Sequence, residues 1–172
     1  MKQFLQTAGT AMTFTERPCP KRSAPVILPI ILLLLFLLCA CHGDASQMKS
    51  GFYSAEAAGF DDYGWKEYIT LYVSNNTIVT VDYNAKNASG FIKSWDMDYM
   101  GLMNSADGTY PNKYTREYGE ALLRLQDPSQ VDAITGATHS YDSFQRLAAA
   151  AIAQARAGNG DVAYVDLTEA AG

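Results

Sequence analysis

Trp65-Lys66-Glu67-Tyr68-Ile69-Thr70-Leu71-Tyr72-Val73-Ser74-Asn75-Asn76-Thr77-Ile78-Val79-Thr80-Val81-Asp82-Tyr83 decides the fold class of this 172-residue chain. Ile69, Leu71 and Val73 alternate with Thr70 and Tyr72, and a period of two turns apolar side chains to one face of a strand. A second β-rich run, Ile78-Val79-Thr80-Val81, follows Ser74-Asn75-Asn76-Thr77. Asparagine tolerates the left-handed backbone of a two-residue reversal, so the stretch predicts a β-hairpin.

Toward the C-terminus, residues 84–90 are rich in Asn, Ser and Gly and are expected to break the second strand. Residues 94–104 carry Trp95, Met97, Tyr99, Met100 and Met103 and are expected to be helical. Tyr114, Tyr118, Ala121, Leu122 and Leu125 form one apolar stripe at helical spacing, led in by Pro111-Asn112 and stopped by Asp127-Pro128. Phe144, Leu147, Ala148, Ala151, Ile152 and Ala155 repeat that spacing. Asp142 and Gln145 suggest a capping box at the start of this last helix, and Arg156 with Gly158 its end. Residues 162–167 can supply a closing strand, and no internal repeat is present. Strands first and helices after describe an α+β fold, one domain over residues 51–172.

Toward the N-terminus, Lys21 and Arg22 precede the almost wholly apolar residues 26–40. Basic residues, an apolar run and small residues make a secretory signal. The run ends Leu37-Leu38-Cys39-Ala40-Cys41, which resembles the lipobox of bacterial lipoproteins. The resemblance implies cleavage after Ala40 and a diacylglyceryl group on the Cys41 thiol, hence a signal peptide over 1–40 and a polar tether over 41–50. An uncleaved signal anchor is the alternative; interrupted by Pro29, the run falls short of the roughly twenty residues a bilayer needs.

Without residues 1–40 the chain loses four basic and one acidic side chain, leaving nine basic against seventeen acidic, a net charge of −8. An acidic domain with no basic stripe repels phosphate backbones, so nucleic acid is not an expected partner. The three cysteines are Cys19, Cys39 and Cys41, so only Cys41 remains and no internal disulfide can form. No haem motif or cluster ligand set is present, no metal site is expected, and His42 and His139 are the only histidines. Redox chemistry here would need an organic cofactor.

Between the two long helices lies Asp132-Ala133-Ile134-Thr135-Gly136-Ala137-Thr138-His139-Ser140. It resembles the D-x-x-[S/T]-G-A-T sequence modified by FAD:protein FMN transferases, which join FMN through its phosphate to the last threonine. The same segment marks the FMN-binding domain of the flavin-carrying subunit of Na⁺-translocating NADH:quinone reductase and of small lipoproteins of extracellular electron transfer. Gly64-Trp65-Lys66-Glu67-Tyr68 resembles that domain's first hairpin, and residues 83–91 and 108–111 resemble segments of its lipoprotein members. The similarity spans roughly residues 51–157.

The resemblance implies covalent FMN on Thr138, with Asp132, Thr135, Gly136, Ala137 and Ser140 around it. It also implies three partners: an FMN transferase, a membrane reductase or other redox protein, and the bilayer through Cys41. The chemistry of the motif agrees. Gly136 and Ala137 leave room for a transferase cleft or a flavin. A phosphate on Thr138 would sit close to the N-terminus of the last helix, which favours an anion. Asn87 and Ser89 are candidates for phosphate or ribityl oxygens, Lys86 for pairing with the phosphate, and Trp95, ahead of the other aromatics, for stacking on the ring. No catalytic residue is singled out. The expected function is extracytoplasmic electron carriage by a membrane-anchored flavoprotein. The alternatives are a flavin-dependent reductase acting directly on a small acceptor and a non-redox surface lipoprotein.

Overall fold

At the tip of the hairpin Asn75 and Asn76 adopt φ of 50° and 61°, the left-handed backbone that a two-residue reversal needs. The computed structural model describes residues 46–168; the signal segment and the first half of the tether, Cys41 included, lie outside the described residues. The hairpin consists of β2 (Lys66–Ser74) and β3 (Thr77–Lys86), with β1 (Gly51–Ala57) added on the far side of β2. β4 (Ala163–Val165) runs parallel to β1, giving a mixed sheet in the order β3-β2-β1-β4.

Strict alternation in β2 buries Glu67, Ile69, Leu71 and Val73 together. In β3 a bulge intervenes: Tyr72 pairs with Thr80 but Val73 with Ile78. Val79 is the extra residue and faces solvent, whereas Tyr83 and Ala85 return to the buried face. β3 does not break at Asn84 as expected; it runs to Lys86, and the turn begins at Asn87.

Three helices follow: α1 (Met97–Asp107), α2 (Pro111–Leu125) and α3 (Thr138–Ala157). A short 3₁₀ turn, Lys93–Trp95, precedes α1, whose N-cap Asp96 accepts from Tyr99 N at 2.9 Å. α1 buries none of its residues. α2 starts on Pro111 and ends where Gln126 takes a left-handed backbone. The Gln126 side chain then pairs like a strand with Ile78, accepting from its N–H at 2.7 Å and donating to its carbonyl at 3.0 Å.

α3 starts four residues before the expected capping box, at Thr138 itself. Asp142 stays exposed, and Gln145 turns sideways to donate to the Pro128 carbonyl. The stripe Phe144, Leu147, Ala148, Ala151, Ile152 and Ala155 is buried as expected. Its small residues share one core with Ala55 of β1, on which α3 packs, and β1 is silent in the sequence because its inward residues include two alanines. With Tyr118 and Leu122 of α2, these side chains cover one face of the sheet. Phe52 and Tyr72, in ring contact at 4.7 Å, remain on the other.

Candidate functional site

Residues 131–137 carry the chain from α2 to α3 and are held by one phenol. Tyr118 Oη accepts from Ile134 N at 3.1 Å and donates to the Ala137 carbonyl at 3.2 Å. Ala137 is the buried N-cap of α3 and has no side chain with which to cap it. Gly136 has φ +80°, and a Cβ there would collide with the backbone at Asp107 and approach Thr109. Both its conformation and its surroundings require glycine.

Asp132, Thr135 and Thr138 are exposed on this segment, Thr138 as the first residue of α3. Ser140 points inward: it is buried, its hydroxyl pairs with Tyr114, and its carbonyl accepts from Tyr83 Oη at 2.8 Å. The structure therefore brings the motif together as a supported loop and helix start, with Ser140 serving the core.

His139 and Ser143, one helical turn apart, line a cavity of about 320 Å³, within the range of small-molecule sites. Its aromatic side comes from Phe60, Tyr63 and Trp65. Asp61 shapes this loop, its Oδ1 accepting from Tyr63 N at 3.0 Å and Trp65 N at 2.7 Å. Glu67, the second residue of β2, lines it too, as do Leu167 and Thr168 beyond β4.

Glu67 occupies a core position on β2 yet carries a carboxyl, and its Oε2 is buried with no hydrogen-bond partner. Burial pushes its pKa up, against opposing contributions from the Ser143 hydroxyl, Lys93, His139 and Tyr83. Lys93 is itself 8 % exposed, its ammonium 5.7 Å from the Trp65 ring centroid and 5.6 Å from that of Tyr99. A second buried polar atom without a partner, Thr109 Oγ1, lies next to Gly136.

The remaining candidates fall elsewhere. Asn87 Oδ1 accepts from Ser89 N, Ser89 Oγ and Phe91 N, so Asn87 and Ser89 close their own turn and do not line the cavity. Trp95 is 64 % exposed and also lies off it. Lys86 is engaged by Glu56 at 2.6 Å and reaches over Tyr68. Glu67, Lys93 and Ser143 were not singled out by the sequence reading. Glu67 alone had a legible signal, because counting back by two from Ile69 reaches it and puts a charge on the buried face.

The arrangement fits a flavin. The aromatic side suits a planar ring, Glu67 Oε2 lacks a partner, and the uncapped start of α3 suits a phosphate, whereas the space at Gly136 is taken by Asp107 and Thr109 and leaves no room there for a flavin. Among the described residues no cluster could hold a metal ion, and no helix is long and apolar enough to cross a membrane.

Comparison with known proteins agrees. A family model described as an FMN-binding domain matches residues 63–153. The chain is 39 % identical over 127 residues to a 15 kDa lipoprotein of Treponema pallidum (strain Nichols), covering 74 % of this chain and 89 % of that protein. Its fold is similar to the crystal structure of a Clostridium perfringens protein, with a TM-score of 0.68 and 33 % identity over 70 % of this chain and 98 % of the other.

Proposed function

Because the chain belongs to the FMN-binding domain family, we propose that it is a lipid-anchored flavoprotein that carries electrons outside the cytoplasmic membrane on FMN joined to Thr138. The observation that carries this reading is the exposed Thr138 at the uncapped start of α3, next in sequence to a residue lining the cavity.

An FAD:protein FMN transferase supplies the attachment. The Thr138 oxygen forms a bond to the flavin-side phosphorus of FAD, the pyrophosphate bond breaks, AMP leaves, and the hydroxyl proton passes to a base of that enzyme. Bound FMN would supply electron transfer in one- or two-electron steps. Within the chain, the first N–H groups of α3 would hold the phosphate and the loop of residues 60–65 would shield the ring, with the buried Lys93 against Trp65. A covalent link prevents loss into a dilute compartment, which even nanomolar binding, about −12 kcal/mol, would permit.

The lipoprotein among its relatives supports acylation of Cys41 and membrane attachment. Acyl chains contribute about 0.8 kcal/mol per buried CH₂, so two or three hold the domain at a bilayer. A membrane reductase or another redox protein supplies or takes the electrons. Intact mass after coexpression with an FMN transferase tests the attachment: FMN mass is expected on the native chain and not on Thr138→Ala. A colourless native chain, from cells that modify other such targets, would overturn the reading.

A further inference from the structure

We propose that Glu67 is a redox-linked proton site, its carboxylate gaining a proton at Oε2 when an FMN ring held in the neighbouring cavity gains electrons. This rests on the reading of FMN above. Three observations carry it. Glu67 stands in register with Ile69, Leu71 and Val73, where a carboxyl has no packing advantage. Its Oε2 is buried without a partner, and the residue lines a cavity large enough for an aromatic ring. His139, beside the proposed attachment point, lines the same cavity.

The groups facing Glu67 come from every element around it. Ser143 of α3, Lys93 of the 3₁₀ turn, His139 of α3 and Tyr83 of β3 all act on it, each favouring the charged carboxylate. Tyr114 of α2 also feels it, and Asp61, Asp62 and Tyr63 line the cavity. Burial already favours the neutral carboxyl, and these neighbours oppose that preference. Added negative charge in the cavity shifts the balance further toward the neutral acid, because the surroundings screen poorly.

The step balances simply. A low-potential reductant delivers two electrons to the ring; one proton from solvent forms an O–H bond on Glu67, apart from any protons taken by the ring itself. No covalent bond in the protein breaks. Coupling is reciprocal, so the flavin's midpoint potential must fall more steeply with pH wherever reduction recruits this extra proton. One additional proton per electron pair steepens the slope by about 30 mV per pH unit, the two-electron equivalent of a tenfold change.

The test uses the full chain flavinylated by coexpression with an FMN transferase. Midpoint potentials are measured by mediated dithionite titration from mildly acidic to mildly alkaline pH. The native protein is expected to show the steeper segment, and Glu67→Gln to lose it. Infrared difference spectra of the native protein, which need no variant, are expected to gain a protonated-carboxyl band on reduction. Parallel potential–pH lines for both proteins, or the absence of that band, overturn the proposal with the flavin still attached. Absence of FMN from the native chain instead overturns the reading on which it rests.

Discussion

A Cβ placed on Gly136 would stand 2.7 Å from the backbone oxygen of Asp107. The loop before Thr138 therefore lies against the end of α1 with no room for a side chain, and its φ of +80° is one that L-residues rarely adopt. Gly136→Ala is expected to destabilise the fold by about 1–3 kcal/mol, combining backbone strain with displacement of the loop. Urea unfolding should show the loss, and flavin incorporation should fall even below the unfolding temperature, because Thr138 is displaced.

Tyr118→Phe keeps the ring stacked on Phe144 at 5.0 Å and removes only the hydroxyl that joins Ile134 to Ala137. A cost of about 1–2 kcal/mol is expected, since the Ile134 N–H loses its acceptor in a half-buried place. Hydrogen exchange should accelerate at residue 134 while the sheet amides stay protected. Unchanged exchange there would show that this phenol does not hold the loop.

Two glutamates should bend the pH–stability profile in opposite directions. The folded pKa of Glu67 is raised above 4.5, so its contribution is complete below that pH and is lost as pH rises through the folded value. The slope on that limb is about 1.4 kcal/mol per pH unit. Glu56 is held low: burial pushes it up, but Lys86 and Lys66 outweigh burial. Its contribution is present above 4.5 and is lost as pH falls through the depressed value, a shallower limb because solvent screens the pair. In denaturant titrations of the Thr138→Ala chain, Glu67→Gln should flatten the limb that falls as pH rises above 4.5 and Glu56→Gln the limb that falls below it.

Lys86→Ala should cost under about 1 kcal/mol, since it breaks one half-screened ion pair. The amount of covalent flavin measured by mass should remain that of the native chain. A large loss of flavin would return Lys86 to the site from which its pairing with Glu56 removes it.

Patterns that depend on local spacing were readable from the residues. The hairpin and its asparagine turn, the stripes of α2 and α3 and the α+β class follow from periods of two or three to four and from turn chemistry, whereas the threonine motif was legible only through its resemblance to a known family's sequence. β1 was not readable, because Ala55 and Ala57 carry little hydrophobic signal and become core only when the small face of α3 packs on the sheet. The start of α3 was misplaced because Asp142 and Gln145 mimic a capping box, whereas the Tyr118 hydroxyl and the Ala137 carbonyl begin the helix four residues earlier.

What the chain's order of residues determined by itself was the motif at 132–138 and the alternating faces that put Glu67 in line with the core. Tertiary structure alone decided that Glu67, Trp65 and Ser143 line one cavity near that motif, with Lys93 against the Trp65 ring. The reason is physical: they come from β2 and the loop before it, the 3₁₀ turn and α3, and contacts between segments so far apart in sequence leave no periodic trace. They form only when sheet and helices close on one another.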